Sequence, residues 1–125
     1  MTDIKQTAVE KFKSRQALIG IVGDMSVKRF PDISGLRVPH MGWNQTHPTT
    51  REHPLTRDLD EDARFYFVHS YYMEPRNRED VLLETSYGIS FAAAVARNNI
   101  TGVQFHPEKS HRFGKNLLAS FVKGD

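Results

Sequence analysis

Between residues 65 and 105 the chain carries four short apolar runs, each closed by turn residues and each too short for a stable helix. Phe65-Tyr66-Phe67-Val68 is a run of the buried-strand type. Residues 81–85 and 89–95 flank Ser86-Tyr87-Gly88 and read as an antiparallel pair around that turn. Residues 100–105 form the fourth run and end on His106-Pro107-Glu108. Helical spacing occurs only near the termini. Ile4, Ala8, Val9 and Phe12 share one face behind an Asp3/Gln6 pair like a capping box, which predicts a helix over residues 3–13. Phe113, Leu117, Leu118 and Phe121 predict a C-terminal helix to about residue 122, with Ser110 as its N-cap. Two more short strands, 18–22 and 27–30, are expected to form a hairpin through Gly23-Asp24. Residues 31–62, rich in Pro, Gly, Thr, His and charge, read mostly as loop. Strands with helices at both ends predict an α/β layered fold, in which ligands sit beyond the carboxyl ends of strands.

Composition removes several function classes. At 125 residues the chain is one domain or part of one. Its net charge is only +2 and its 17 basic residues are spread along the sequence, so a nucleic-acid partner is not indicated. The longest apolar stretch, residues 17–23, is too short to span a membrane, and the N-terminus lacks the apolar core of a secretory signal. A cytoplasmic location is the default expectation. There is no cysteine, which excludes disulfides and zinc-thiolate sites within these residues. Of the six histidines, His40, His47, His53 and His111 are irregularly spaced and none forms a His-x-x-x-His pair on an expected helix, so no metal site is expected.

The chemistry lies at the end of the fourth run. Residues i and i+2 of an extended chain point to the same side, so His106 and Glu108 project together. Pro107 fixes its own backbone and holds His106 extended. A carboxylate on one ring nitrogen sets the tautomer and makes the other nitrogen a better base. That is the base-and-orienter half of a nucleophilic triad. On His-x-Glu alone, a strand-capping histidine beside a solvated glutamate is the preferred reading. On pattern alone, Met41 and Trp43 read as core residues, Lys109 as a solvated charge, and His69 as a structural histidine. Tyr66, alternating with Phe65 and Phe67, reads as half-buried or solvent-facing.

Three segments change the weighing: Val38-Pro39-His40-Met41-Gly42-Trp43-Asn44, Phe65 through Tyr71, and Gly102 through Ser110. In this order and spacing they resemble the C-terminal half of a class I, triad-type glutamine amidotransferase, most of all the glutaminase subunit of imidazole glycerol phosphate synthase. The resemblance covers residues 18–125 as part of one flavodoxin-like layered domain, and leaves residues 1–17 as an unmatched N-terminal helix. It implies hydrolysis of glutamine by a Cys-His-Glu triad, with ammonia passed to a (β/α)8-barrel synthase subunit in a heterodimer for histidine biosynthesis, and no cofactor. His106 matches the general base and Glu108 its orienting carboxylate. Ser70 and Tyr71 match residues that hold the amino-acid part of glutamine through backbone groups. Trp43, Tyr66 and Lys109 match positions near the synthase interface.

One departure is large. The family's nucleophile sits on a Gly-x-Cys-x-Gly turn, and no two glycines here have that separation. The chain therefore reads as a C-terminal fragment that is inactive alone. Two other readings stay open: ammonia supply for amidation of surface-polysaccharide sugars, and a non-catalytic module that docks on a barrel partner.

Overall fold

The computed structural model describes residues 24–123. The expected helix over residues 3–13 and the strand at 18–22 lie outside the described residues. Strands dominate, as the short apolar runs require. They are β1 (Met25–Arg29), β2 (His40–Gln45), β3 (His47–Pro48), β4 (Arg64–His69), β5 (Tyr71–Pro75), β6 (Val81–Tyr87), β7 (Ile89–Arg97) and β8 (Ile100–Val103). Among the described residues one α-helix, α1 (His111–Lys123), follows, together with 3-10 turns at Arg78–Asp80 and Pro107–Lys109.

A six-stranded sheet runs in the order β1-β5-β7-β6-β3, with β8 also on β7, while β2 and β4 form a separate two-stranded sheet. Every pairing among the described residues is antiparallel. The β6–β7 pair forms as expected, with Tyr87 opposite Ile89 and Gly88 at φ +73° in the left-handed region that a two-strand reversal needs. Strand β7 organises the sheet because its run Phe91-Ala92-Ala93-Ala94-Val95 is buried on both faces.

The core is built where the two sheets meet. Phe65 and Phe67 alternate inward from β4, while Tyr66 and Val68 point outward. Phe105 stacks on Phe65 at 3.9 Å between ring centroids and meets Phe67 edge-on at 5.7 Å. Phe113 and Leu117 of α1 close the cluster with Leu83, Phe91 and Ala93. Burying an aromatic side chain of this kind contributes about 1.5–3 kcal/mol.

Three expectations are corrected. Residues 40–45, expected as loop, form β2, because pairing with β4 outweighs the weak strand preference of Gly42 and Asn44. Strand β1 pairs with β5, while its expected hairpin with residues 18–22 lies outside the described residues. The strand expected over 100–105 stops pairing at Val103, since Phe105 turns away from β7 to reach the β4 cluster. Met41 and Trp43 are not core: they are 62% and 45% exposed, because the inward positions of β2 belong to His40 and Asn44.

Candidate active site

The chain after β8 crosses from one sheet to the other and carries the site with it. Gln104 N–H donates to Ala93 O on β7 at 2.8 Å, and two residues later His106 N–H donates to Tyr66 O on β4 at 2.9 Å. Phe105, between them, is the buried anchor. The turn Pro107–Lys109 then reverses the chain, with Lys109 N–H donating to His106 O.

Ser110 fastens this turn. Its hydroxyl donates to His106 O at 2.6 Å and accepts Tyr66 N–H at 3.0 Å. Its side chain therefore joins β4 to the turn rather than capping α1 as expected; only its carbonyl serves the helix, accepting Gly114 N–H. Gly114 completes the support from below. A Cβ at that position would lie 1.8 Å from Pro107 O, so helix and turn touch backbone to backbone.

On this scaffold His106 Nδ1–H donates to Glu108 Oε1 at 2.8 Å. The carboxylate fixes the tautomer and leaves Nε2 as the basic atom. The Glu108 backbone N–H and the His106 ring hold the Glu108 carboxyl below the ordinary range, so it is ionised at neutral pH. Both side chains are solvent-accessible.

The remaining residues singled out in the sequence fall into two groups. Trp43 and Tyr66 are opposite one another in the β2–β4 register and meet edge-on at 6.1 Å. Trp43 also lies parallel to the ring of His111 at 5.5 Å, and Met41 and Val68 continue the same exposed apolar face. Lys109, next to Glu108, is exposed on the Pro107–Lys109 turn. Ser70 and Tyr71 form the second group, at the β4–β5 junction. Ser70 O accepts Phe30 N–H, and Tyr71 O accepts the Nδ1–H of His69 at 2.8 Å. His69 is thus a hydrogen-bonded structural histidine, buried in a cage of aromatic rings. Among the described residues no three His, Cys, Asp or Glu side chains converge as a metal site, and no helix is long and apolar enough to cross a membrane.

The sequence reading missed His40, Asn44 and Gly114. The alternation of His40, Gly42 and Asn44 against Met41, Trp43 and Gln45 was the available signal, disguised because the apolar members face outward.

Comparison with known proteins fits this arrangement. The sequence model described as glutamine amidotransferase class-I matches residues 6–124. The chain belongs to the class I glutamine amidotransferase family. Within that family it is 54% identical over 100 residues to imidazole glycerol phosphate synthase subunit HisH 2 of Pseudomonas aeruginosa, covering 80% of this chain and 49% of that protein. It is 55% identical over 97 residues to the HisH subunit of Nitrosococcus oceani, covering 77% of this chain and 46% of that one. The amidotransferase chain thus spans about half the length of the curated relatives it matches. Its fold also resembles the crystal structure of a Thermoplasma acidophilum protein described as a putative GMP synthase subunit, with a TM-score of 0.64 at 15% identity, over 86% of this chain and 52% of that one.

Proposed function

We propose that this chain is the C-terminal part of the glutaminase subunit of an imidazole glycerol phosphate synthase, and that it supplies the base and orienting carboxylate for glutamine hydrolysis in histidine biosynthesis. The observation that carries the reading is the 2.8 Å His106–Glu108 hydrogen bond on a turn held by Ser110 and Gly114. The half-identical HisH relatives support it. Glutamine is the substrate in this reading, held at Ser70 and Tyr71 by backbone groups.

Each residue then has a defined task. Glu108 keeps the proton on Nδ1 of His106. Nε2 takes the proton of a cysteine thiol, the thiolate attacks the side-chain amide carbon of glutamine, and Nε2 returns the proton to the departing ammonia. Water then hydrolyses the acyl-enzyme with the same nitrogen as base. The 125 residues hold no cysteine, so the thiol comes from a Gly-x-Cys-x-Gly segment outside them. Trp43, Tyr66 and Lys109 line the face that docks on the barrel synthase subunit, which receives the ammonia in the cytoplasm.

Glutamine turnover tests this. The purified chain releases no ammonia from glutamine; mixing it with a separately produced segment carrying Gly-x-Cys-x-Gly restores release, and His106→Ala abolishes it. Release that survives His106→Ala in the mixture overturns the assignment of the base.

A further inference from the structure

A buried chain of polar side chains runs beneath the Ser70–Tyr71 segment, and the proposed chemistry does not use it. Asn44 Nδ2 lies 3.2 Å from His40 Nε2, His40 Nδ1 lies 2.9 Å from His69 Nε2, and His69 Nδ1 lies 2.8 Å from Tyr71 O. His40 and His69 are buried. His40 is sandwiched between Phe67 and Tyr87, at 4.8 Å and 4.0 Å, and Phe30 and Phe91 close the cage around both rings.

The direction of every hydrogen bond follows from either end. A carbonyl oxygen only accepts, so His69 carries its proton on Nδ1 and presents a bare Nε2. His40 must then donate from Nδ1, leaving its own Nε2 bare to accept from an amide N–H. At the other end Asn44 Oδ1 accepts Gln45 N–H at 2.9 Å, while Nδ2 also donates to Ser86 O at 3.0 Å, so the atom facing His40 is the nitrogen. Both ends give the same two neutral tautomers. A fully satisfied buried network of this kind admits one arrangement and rigidifies what it holds.

What it holds is the Tyr71 carbonyl. Through it, strand β2 is tied across β4 to the first residue of β5. We infer that Asn44, His40 and His69 are positioning residues that fix the Ser70–Tyr71 backbone in the orientation that receives the amino-acid part of glutamine. The relay rests on the proposed function for its ligand, but not for its geometry.

The test uses the whole 125-residue chain, with ¹⁵N-labelled imidazoles and amides. At pH 7.5 both His40 and His69 are expected as neutral Nδ1–H tautomers. The Phe30 amide, which donates to Ser70 O, is expected to exchange slowly. His69→Phe removes the donor to Tyr71 O and should speed Phe30 exchange at least tenfold, while β6–β7 amides stay protected. His69→Asn, which keeps an N–H at the Nδ1 position, should restore most of the protection. Asn44→Ala is the milder second variant, and should free the His40 tautomer if His69→Phe fails to fold. An Nε2–H tautomer on His69, or unchanged Phe30 exchange in a folded His69→Phe chain, overturns the relay. A glutamine titration separates the two claims: shifts at Ser70 and Tyr71 that weaken at least fivefold in His69→Phe and recover in His69→Asn support positioning for glutamine. No glutamine shift in the unaltered chain refutes the glutamine-positioning role, even where tautomers and exchange uphold the geometry.

Discussion

Gly114→Ala sets two principles against each other at one atom. Gly114 is an interior position of α1, where alanine is favoured over glycine by about 1 kcal/mol through helix propensity. If helix propensity decided the outcome, the substitution would stabilise the chain. The added Cβ, however, would sit 1.8 Å from Pro107 O and 2.7 Å from Pro107 C, where contacts below 3.0 Å do not occur. Helix and turn must therefore separate by more than about 1 Å, and the atoms in the way are backbone, not a side-chain tip that can swing aside. Overpacking of this kind costs about 1–3 kcal/mol, and more where nothing can yield. Set against the helix-propensity gain, the expected result is a net loss of up to about 2 kcal/mol, read as a lower urea midpoint at unchanged m-value. Asn116→Ala, on the exposed face of the same helix, should raise the midpoint slightly and serves as the control. The loss should be accompanied by shifted His106 and Glu108 resonances, because Pro107 lies between them. In the reconstituted glutaminase a displacement of that size is expected to cost on the order of 10²-fold in rate. A Gly114→Ala chain that is more stable than its parent refutes the argument, since it would mean that helix and turn are not in backbone contact.

Two further perturbations have signs fixed by the structure. Burial, and then the neighbouring His69, lower the His40 pKa from 6.5 to about 4. The unfolded chain therefore binds more protons between those values, so stability is level above pH 6.5 and falls as the pH drops toward 4. His40 alone should remove about 2 kcal/mol by pH 5, with His69, lowered by burial, adding in the same direction. Urea midpoints of the parent and His40→Asn chains at pH 7.5 and 5.0 check this; equal pH slopes in the two would sink it. Arg97 bridges Asp80 and Asp24, and Asp80 is buried. Arg97→Met leaves a buried carboxylate without its cation, which is expected to cost about 3–5 kcal/mol in denaturant titration; a loss below about 1 kcal/mol would show that the cluster is solvated.

The legible parts of this fold were those whose residues alternate or repeat toward the core. Phe65 and Phe67 announce β4, the turn at Gly88 announces the β6–β7 hairpin, and Phe113 with Leu117 announces α1. In the site, His106 and Glu108 were readable as a pair two residues apart, but not for the expected reason: only His106 is extended, and the 3-10 turn Pro107–Lys109 brings the Glu108 carboxylate back to His106 Nδ1. Strand β2 was not readable. Its apolar residues, Met41 and Trp43, face outward and its polar ones face the core, so the usual inside–outside pattern is inverted. Ser110 marks the right boundary but makes a different bond from the expected cap, because its hydroxyl is taken by His106 O and Tyr66 N–H.

The chemistry on offer can be read along the chain: an imidazole and a carboxylate two residues apart, no thiol among these residues, and enough short apolar runs to demand a sheet. How that chemistry is held depends on contacts between distant segments. The relay from Asn44 to Tyr71 joins residues 27 positions apart, and the contact between Gly114 and Pro107 joins a helix to a turn. The alternation along β2 marks which of its residues face inward but not what they meet, and Gly114 leaves no trace at all, because each contact depends on two segments meeting at one point in space.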